Sequence, residues 1–398
     1  MRPLSYAGVA IMATALITVR PAAVGEPPTG ADPDVCGPAT IDVADVRPDA
    51  EPEGAFLDYA ESTPDGWTGA DSTYSVRLPD GGLLWLFSDT FLGPLNDDGT
   101  RPVTAPLVNN SFVLQEGDAF TTVQGGTPSR PEAIMPPDRP GHWYWLGDGM
   151  ISHQDGTDHL QVVFQEYRRF GDGDWDFRLE RNAVATFALD DLTEPVRVDD
   201  LPSQGGAWGS ALLPASESGD GHTYVYGLLD SDDGKTQRIA RVPGEDLSDT
   251  ANWSYWSPEG WTDDENAAGA GLAGVANEYS VTPWNGQYLL LTQDTSVPFS
   301  TEVRAYTSCS PAGPFTNGTL VYRMPETGAA GSYGDKDVYA YNAHLHDTLA
   351  DGDTLVMSYN VNHLDSGATE DSPHYRDPSI YKPRFVEVSL TPGNPRQT

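Results

Sequence analysis

Five times along the chain a β-rich stretch, a tight turn carrying glycine and a second apolar stretch follow one another, and each unit ends on a polar residue. The first copy starts at Asp71, turns at Pro79-Asp80-Gly81-Gly82, continues through residues 83–87 and ends at Ser88-Asp89-Thr90. The second starts at Asp148, turns at 154–158 and ends at Gln165-Glu166. The third starts at Trp208 and reaches Asp230 after a longer turn at 216–222. The fourth begins with Asn277-Glu278, turns at Trp284-Asn285-Gly286 and ends at Asp294; the fifth begins with Tyr341-Asn342, turns at 350–353 and ends at Tyr359-Asn360. Asp-Gly or Asn-Gly between β-branched and aromatic runs is a strong hairpin signal, and its recurrence means one supersecondary unit used repeatedly. Further strand-like runs at 183–189, 236–242 and 302–307 bring each unit to about four strands. The expected fold is therefore all-β, a five-bladed β-propeller. Residues 384–390 read as an outer strand of the last blade, and residues before about 60 as a strand that closes the ring. No segment sustains a helical period, so helix content is expected to be very low.

The ends of the chain suggest how it is handled. Arg2 precedes an apolar stretch at 7–19, followed by Ala22-Ala23 and Glu26-Pro27-Pro28. This pattern reads as a secretory signal peptide over residues 1–25, then an extension over 26–54 and the propeller over 55–398. The apolar stretch is too short for a membrane span. The only two cysteines, Cys36 and Cys309, are expected to form one disulfide in an exported protein, tying the N-terminal segment to the fourth repeat. Lys and Arg number 22 against 59 Asp and Glu, for a formal net charge of −37. Such a field repels nucleic acid and anionic membranes. A secreted monomer without nucleic-acid or membrane partners is the expectation. Neither CxxC nor HExxH occurs, so zinc is not indicated.

The repeat also locates a site. Eighteen residues separate Asp71 from Asp89, Asp148 from Glu166, and Asn342 from Asn360. In an antiparallel hairpin the start of one strand and the end of the next share an edge, so each blade presents two polar residues at one face of the disc. Inner strands converge on the axis, which gathers Asp71, Asp89, Asp148, Glu166, Glu278 and Asp294 in one funnel. Glycoside hydrolysis needs one protonated and one ionised carboxyl group, and crowding raises the pKa of at least one acid. Trp143, Trp145, Trp208 and Tyr341 lie near the same edge as candidate sugar platforms. Asn342 and His344, with Asn110 from the run Asn109-Asn110-Ser111, are candidate substrate contacts. His344 and His346 share one face of the fifth inner strand, where they either pack in the core or help hold a structural cation near the axis. No catalytic cofactor is expected. Glu166 is followed by Tyr167-Arg168-Arg169, which leaves a structural ion pair as its alternative role.

The runs Gly69-Ala70-Asp71, Leu84-Trp85-Leu86-Phe87-Ser88-Asp89-Thr90-Phe91 and Asn109-Asn110-Ser111-Phe112-Val113 resemble a bacterial propeller family long catalogued only as a domain of unknown function and associated with endo-D-arabinanases. The chain is also similar, more distantly, to five-bladed furanosidases such as L-arabinanases and levan-cleaving enzymes. The repeat carries the resemblance over about 55–390, but the specific motifs lie in the first blade. The chain departs from the family in having Ser88 where Gly commonly precedes the Asp-Thr pair. It departs from the distant furanosidases in having Trp208-Gly209-Ser210 where their third inner strand carries a Glu acid. The resemblance implies a secreted glycoside hydrolase acting on a furanose-containing polysaccharide, D-arabinan or arabinogalactan first. It casts Asp71 as base or nucleophile, Asp148 or Glu278 as acid, and Asp89 as the residue that orients or tunes. The alternative is a non-catalytic carbohydrate-binding propeller at a cell surface. Fold alone does not decide between them.

Overall fold

The computed structural model describes residues 36–393 apart from 49 and 174; the expected signal peptide lies outside them. Five antiparallel sheets follow one another as blades. Their innermost strands are Trp67–Arg77, His142–Gln154, Ala207–Leu213, Ser280–Trp284 and Val338–Asp351, each packed against the next around the ring. The turns that join the first and second strands fall where the Asp-Gly and Asn-Gly pairs placed them. Asp155 and Asn285 adopt positive φ there, as these residue types tolerate.

The core is not one centre but five seams. Tyr74, Leu86 and Phe112 of blade one meet Tyr144, Leu146 and Phe164 of blade two. Similar clusters fill the seams between blades two and three, three and four, and four and five. The last seam, between blades five and one, joins Val356 and Phe385 to Trp67, Trp85 and Phe87. Because each blade buries one face against each neighbour, its strands read as apolar runs, as in Leu83–Leu92, which is buried throughout.

Two ties hold the ends of the chain. The strand Ile41–Pro48 pairs antiparallel with Pro383–Pro392 and becomes the outermost strand of blade five. Cys36 forms a disulfide with Cys309 at a Cα separation of 6.1 Å, anchoring the same segment to blade four. A bridge of this kind fits an oxidising compartment.

Helix is sparse, as expected, but the 13-residue helix Ala50–Ser62 departs from the sequence-based expectation. It carries the chain from the closing strand to blade one and buries Phe56 and Ala60 in the seam between blades five and one. Its period extends for only about three turns, and Pro52 and Gly54 near its start weaken the helical signal in the sequence. Among the described residues no helix is long and apolar enough to cross a membrane.

Candidate active site

Inner strands bulge where they approach the axis. The register of blade one shifts on both sides of Ser72, that of blade two near Asp148, that of blade three between Trp208 and Ala211, and that of blade five between Tyr341 and His344. A bulge re-aims a side chain out of the regular alternation. Ser72 and Thr73 sit at φ 72° and 86°, and Asn342 at 59°. Positive φ is costly for a β-branched residue and marks a conformation imposed by its surroundings. His344 braces two of these bulges, its Nδ1 lying 3.0 Å from the Asn342 carbonyl and its Nε2 3.1 Å from the Thr73 carbonyl. Burial pushes its pKa down to about 4 against the pull of those carbonyls, so the neutral ring donates to one of them.

Four carboxyl groups gather at this level. Asp71 Oδ2 accepts from the phenols of Tyr341 and Tyr381, each at 3.1 Å, while its buried Oδ1 has no hydrogen-bond partner. Burial, reinforced by the charge of Asp89, pushes the Asp71 carboxyl up to about 8. Asp89 Oδ1 accepts from Asn109 Nδ2 at 2.8 Å and Trp145 Nε1 at 2.9 Å. Burial raises it to about 6, with those two bonds opposing. Glu278 Oε1 accepts from Ser72 Oγ at 2.9 Å and Asn342 Nδ2 at 2.8 Å. Its Oε2 is buried without a hydrogen-bond partner, the nearest cation-capable atom being His344 Nδ1 at 3.7 Å. Burial, together with the charges of Asp71 and Asp148, holds Glu278 well above the carboxylate range. Asp148 differs. Both its oxygens are taken by backbone N–H groups, Gly149 and Leu212, each at 2.8 Å. Burial nevertheless brings it up to about 7.

The two phenols on Asp71 come from two different segments at one end of blade five, where Tyr341 pairs with Asn360 and Asn360 with Pro383. Tyr341 lies on the inner strand, and Tyr381 (φ 81°) precedes the third strand. The loop carrying Tyr381 passes so close to blade one that a Cβ on Gly69 would fall 2.7 Å from the Tyr381 carbonyl. The glycine of Gly69-Ala70-Asp71 is thus required for that approach.

An aromatic wall adjoins the carboxyl groups on blade two. Trp145 is partly exposed, packs at 4.7 Å against Tyr167 and at 5.4 Å against Phe177, and also contacts Trp143. Its indole N–H anchors it to Asp89, which leaves ring surface for an apolar sugar face.

Other sequence-selected residues lie elsewhere. Trp208 is wholly buried between blades two and three and donates Nε1 to Glu265 Oε1 at 2.9 Å. The bulge at Gly209 (φ 91°) accompanies this inward turn. Glu166 pairs across from Tyr144 rather than Asp148, because the blade-two hairpin carries a shorter turn and a bulge. It is bound by Arg139 Nη2 at 3.0 Å and Arg181 Nε at 2.5 Å. Burial opposes ionisation there, but the two guanidinium groups outweigh it and hold the carboxyl low. Asn110 is a strut, donating to the carbonyls of Met135 and Tyr144 and accepting from Met135 N–H; its neighbour Asn109 is the one that reaches Asp89. Tyr341 is a buried hydrogen-bond donor, not a stacking platform. Asp294 turns away to Arg304 at 3.3 Å. Glu278 stands two residues ahead of its inner strand rather than on it. Sequence reasoning missed Tyr381 and Ser72, whose roles depend on the bulges and on a returning loop.

Among the described residues, one group of three potential ligands lies close enough to share a metal ion: Asp335, Asp337 and His363. It sits where the first hairpin of blade five begins, not beside His344 on the inner strand. Lys336 pairs with Asp337, and within the group His363 Nε2 lies 3.3 Å from Asp335 Oδ2.

The family described as a domain of unknown function, DUF5005, matches residues 54–390. The chain belongs to the DUF5005 family. This DUF5005 protein resembles in structure a "putative hydrolase" from Bacteroides ovatus ATCC 8483, with a TM-score of 0.70 at 20% identity over 86% of this chain and 90% of that one. An inulosucrase from Halalkalicoccus jeotgali bound to kestose gives a TM-score of 0.50 at 16% identity over 89% of each chain. A GH43_1 enzyme from Xanthomonas citri complexed with xylotriose gives 0.44 at 14% identity over 86% of this chain and 93% of that one. For the first two of these the likeness shows a shared propeller fold. No curated protein matches the sequence.

Proposed function

We propose that this DUF5005 protein is an exported glycoside hydrolase that cuts a furanose-containing polysaccharide, endo-acting on D-arabinan or arabinogalactan. One observation carries the reading: Asp71 Oδ1 and Glu278 Oε2 are buried carboxyl oxygens without partners, and the residue after Asp71 hydrogen-bonds Glu278. Unpaired buried polar atoms are rare in folded proteins and call for an explanation; a substrate oxygen and the carbon it leaves supply one.

Glu278, kept protonated by burial and by its neighbours' charge, gives its proton to the leaving glycosidic oxygen. Asp71 acts in its ionised form as base or nucleophile. Its two tyrosine donors fix which oxygen stays free, and burial, reinforced by the Asp89 charge, sets how readily it ionises. Asp148, with both oxygens held by backbone, contributes charge rather than a proton. Trp145 and Tyr167 offer the stacking surface. The D-arabinan assignment rests on the first-blade motifs, and the choice of a furanoside is supported by the fold shared with an inulosucrase that binds kestose.

The test is incubation with a panel of arabinans and fructans, reading released oligosaccharides. Cleavage of D-arabinan with Glu278→Gln nearly inactive, but partly restored on aryl furanosides whose leaving group needs no proton, is the expected result. Partial restoration in Asp148→Asn instead would move the acid to blade two. Binding of a polymer without cleavage would make the protein a carbohydrate-binding propeller.

A further inference from the structure

A second concavity lies on the outer side of blade one, with a volume of about 1100 Å³. One wall is the helix Ala50–Ser62 and the loop after it. The other is formed by the two outer strands of the blade, Ser111–Glu116 and Ala119–Val123, with Leu349 reaching in from blade five. None of the funnel carboxyl groups lines it.

Its chemistry is selective. Tyr59 and Phe120 line it as nearly parallel rings, with centroids 5.6 Å apart and planes 25° apart. The Tyr59 hydroxyl is pinned by Thr122, whose Oγ1 lies 2.7 Å away and whose N–H donates to it at 2.9 Å. The rings are therefore fixed before any ligand arrives. Gln124 also lines the groove, and its Oε1 is buried with no hydrogen-bond partner. A buried amide oxygen without a donor is a paid desolvation cost that a ligand hydroxyl would recover. Asp58, Asp65 and Asp118 add exposed acceptors, and no Lys, Arg or His is among the lining residues. Anions have nothing to bind there and meet the field of a −37 chain. A purely apolar ligand would leave the acceptors unmet. A concave site with a rigid aromatic surface and a surplus of acceptors suits a neutral ligand rich in hydroxyl donors.

We infer that this groove is a second, non-catalytic glycan site, which holds an uncharged sugar chain against Tyr59 and Phe120 and satisfies Gln124 with a sugar hydroxyl. The inference is independent of which bond, if any, the funnel cleaves.

The test uses the full mature chain carrying Asp71→Asn, titrated with neutral arabino-, fructo- and xylo-oligosaccharides by calorimetry and by amide NMR. At least one series should shift the amides of Tyr59, Phe120 and Gln124. Ala119→Trp, which fills the groove from an exposed position, should weaken that binding about tenfold or more. It should leave turnover of small aryl furanosides by the otherwise wild-type protein unchanged. Sugar-induced shifts confined to the funnel, or groove binding indifferent to Ala119→Trp, would overturn the inference. So would a groove that takes a polyamine such as spermidine and no sugar, since its carboxylates alone would then explain it. A missing funnel activity with intact groove binding would sink the hydrolase reading and leave this one standing.

Discussion

Replacing Asp89 by Asn should move the acid limb of the pH–rate profile to lower pH. On the proposed mechanism Asp71 acts ionised, and its carboxyl stands at about 8 through burial first and the Asp89 charge second. The substituted amide keeps an oxygen for Asn109 and Trp145 but carries no charge. Two like charges in neighbouring carboxyl groups, at an effective dielectric of about 20, repel by roughly 3 kcal/mol, or about two pKa units. The limb should thus fall from near 8 toward roughly 6, short of the ordinary aspartate value because burial remains. A lower pKa ionises Asp71 at lower pH, so a variant that uses it as base gains relative rate below neutrality. The two acids titrate as a pair in the wild type, so the profile should also lose one ionisation. The assay is kcat/KM from pH 5 to 9 on a cleaved substrate, which reports the free enzyme. Carboxyl ¹³C NMR of Asp71 gives the same answer without one. An acid limb that stays in place, or that moves upward, would refute the reasoning.

Asp71→Asn should cut turnover on the order of 10²-fold or more without lowering the melting temperature. Because the folded pKa of Asp71 lies above its unfolded value, its ionisation costs the wild type stability as pH rises from about 4 to 8; the variant should lose that share of the decline and keep the share due to Asp89, Asp148 and Glu278, and melting curves across that range check it. Cys36→Ser should lower the melting temperature, with a chain-entropy ceiling of about 5.6 kcal/mol for a bridge spanning 273 residues; thiol titration of the unfolded, unreduced wild type should find no reactive thiol. Trp208→Phe removes a buried indole and its bond to Glu265 and should cost about 1–3 kcal/mol in denaturant unfolding, while sugar binding by the folded fraction is unchanged.

Much of the architecture was legible because its signals are local. Each blade announces itself by a hairpin turn whose residue types match its backbone, and five such turns fix the blade count. The closing strand was legible because the chain had to end its ring somewhere. The funnel was half legible. Constant spacing brought Asp71 to Asp89 and Asn342 beside Asn360, because both hairpins keep the same count of turn and bulge residues. It failed for Glu166, where a different turn moved the partner by four residues. Residue type alone also did not distinguish Asn109 from Asn110, which face opposite sides of one strand start. Tyr381 was invisible because the sequence says nothing of where the loop before the third strand of blade five will return.

The carboxyl group at the centre of the proposed chemistry is assembled from both ends of the chain. Asp71 comes early, while the phenols that orient it come from positions 341 and 381, and the ring that holds them shut borrows its last strand from residues 41–48. Contacts of such sequence separation form late and slowly. A chain still being synthesised, or one cut short anywhere before Tyr381, holds Asp71 without at least one of its donors and an open ring without its clasp. If the proposed function holds, hydrolytic competence would therefore arrive only after the C-terminal strand has been delivered, and an exported chain would carry no working site past the sugars made inside.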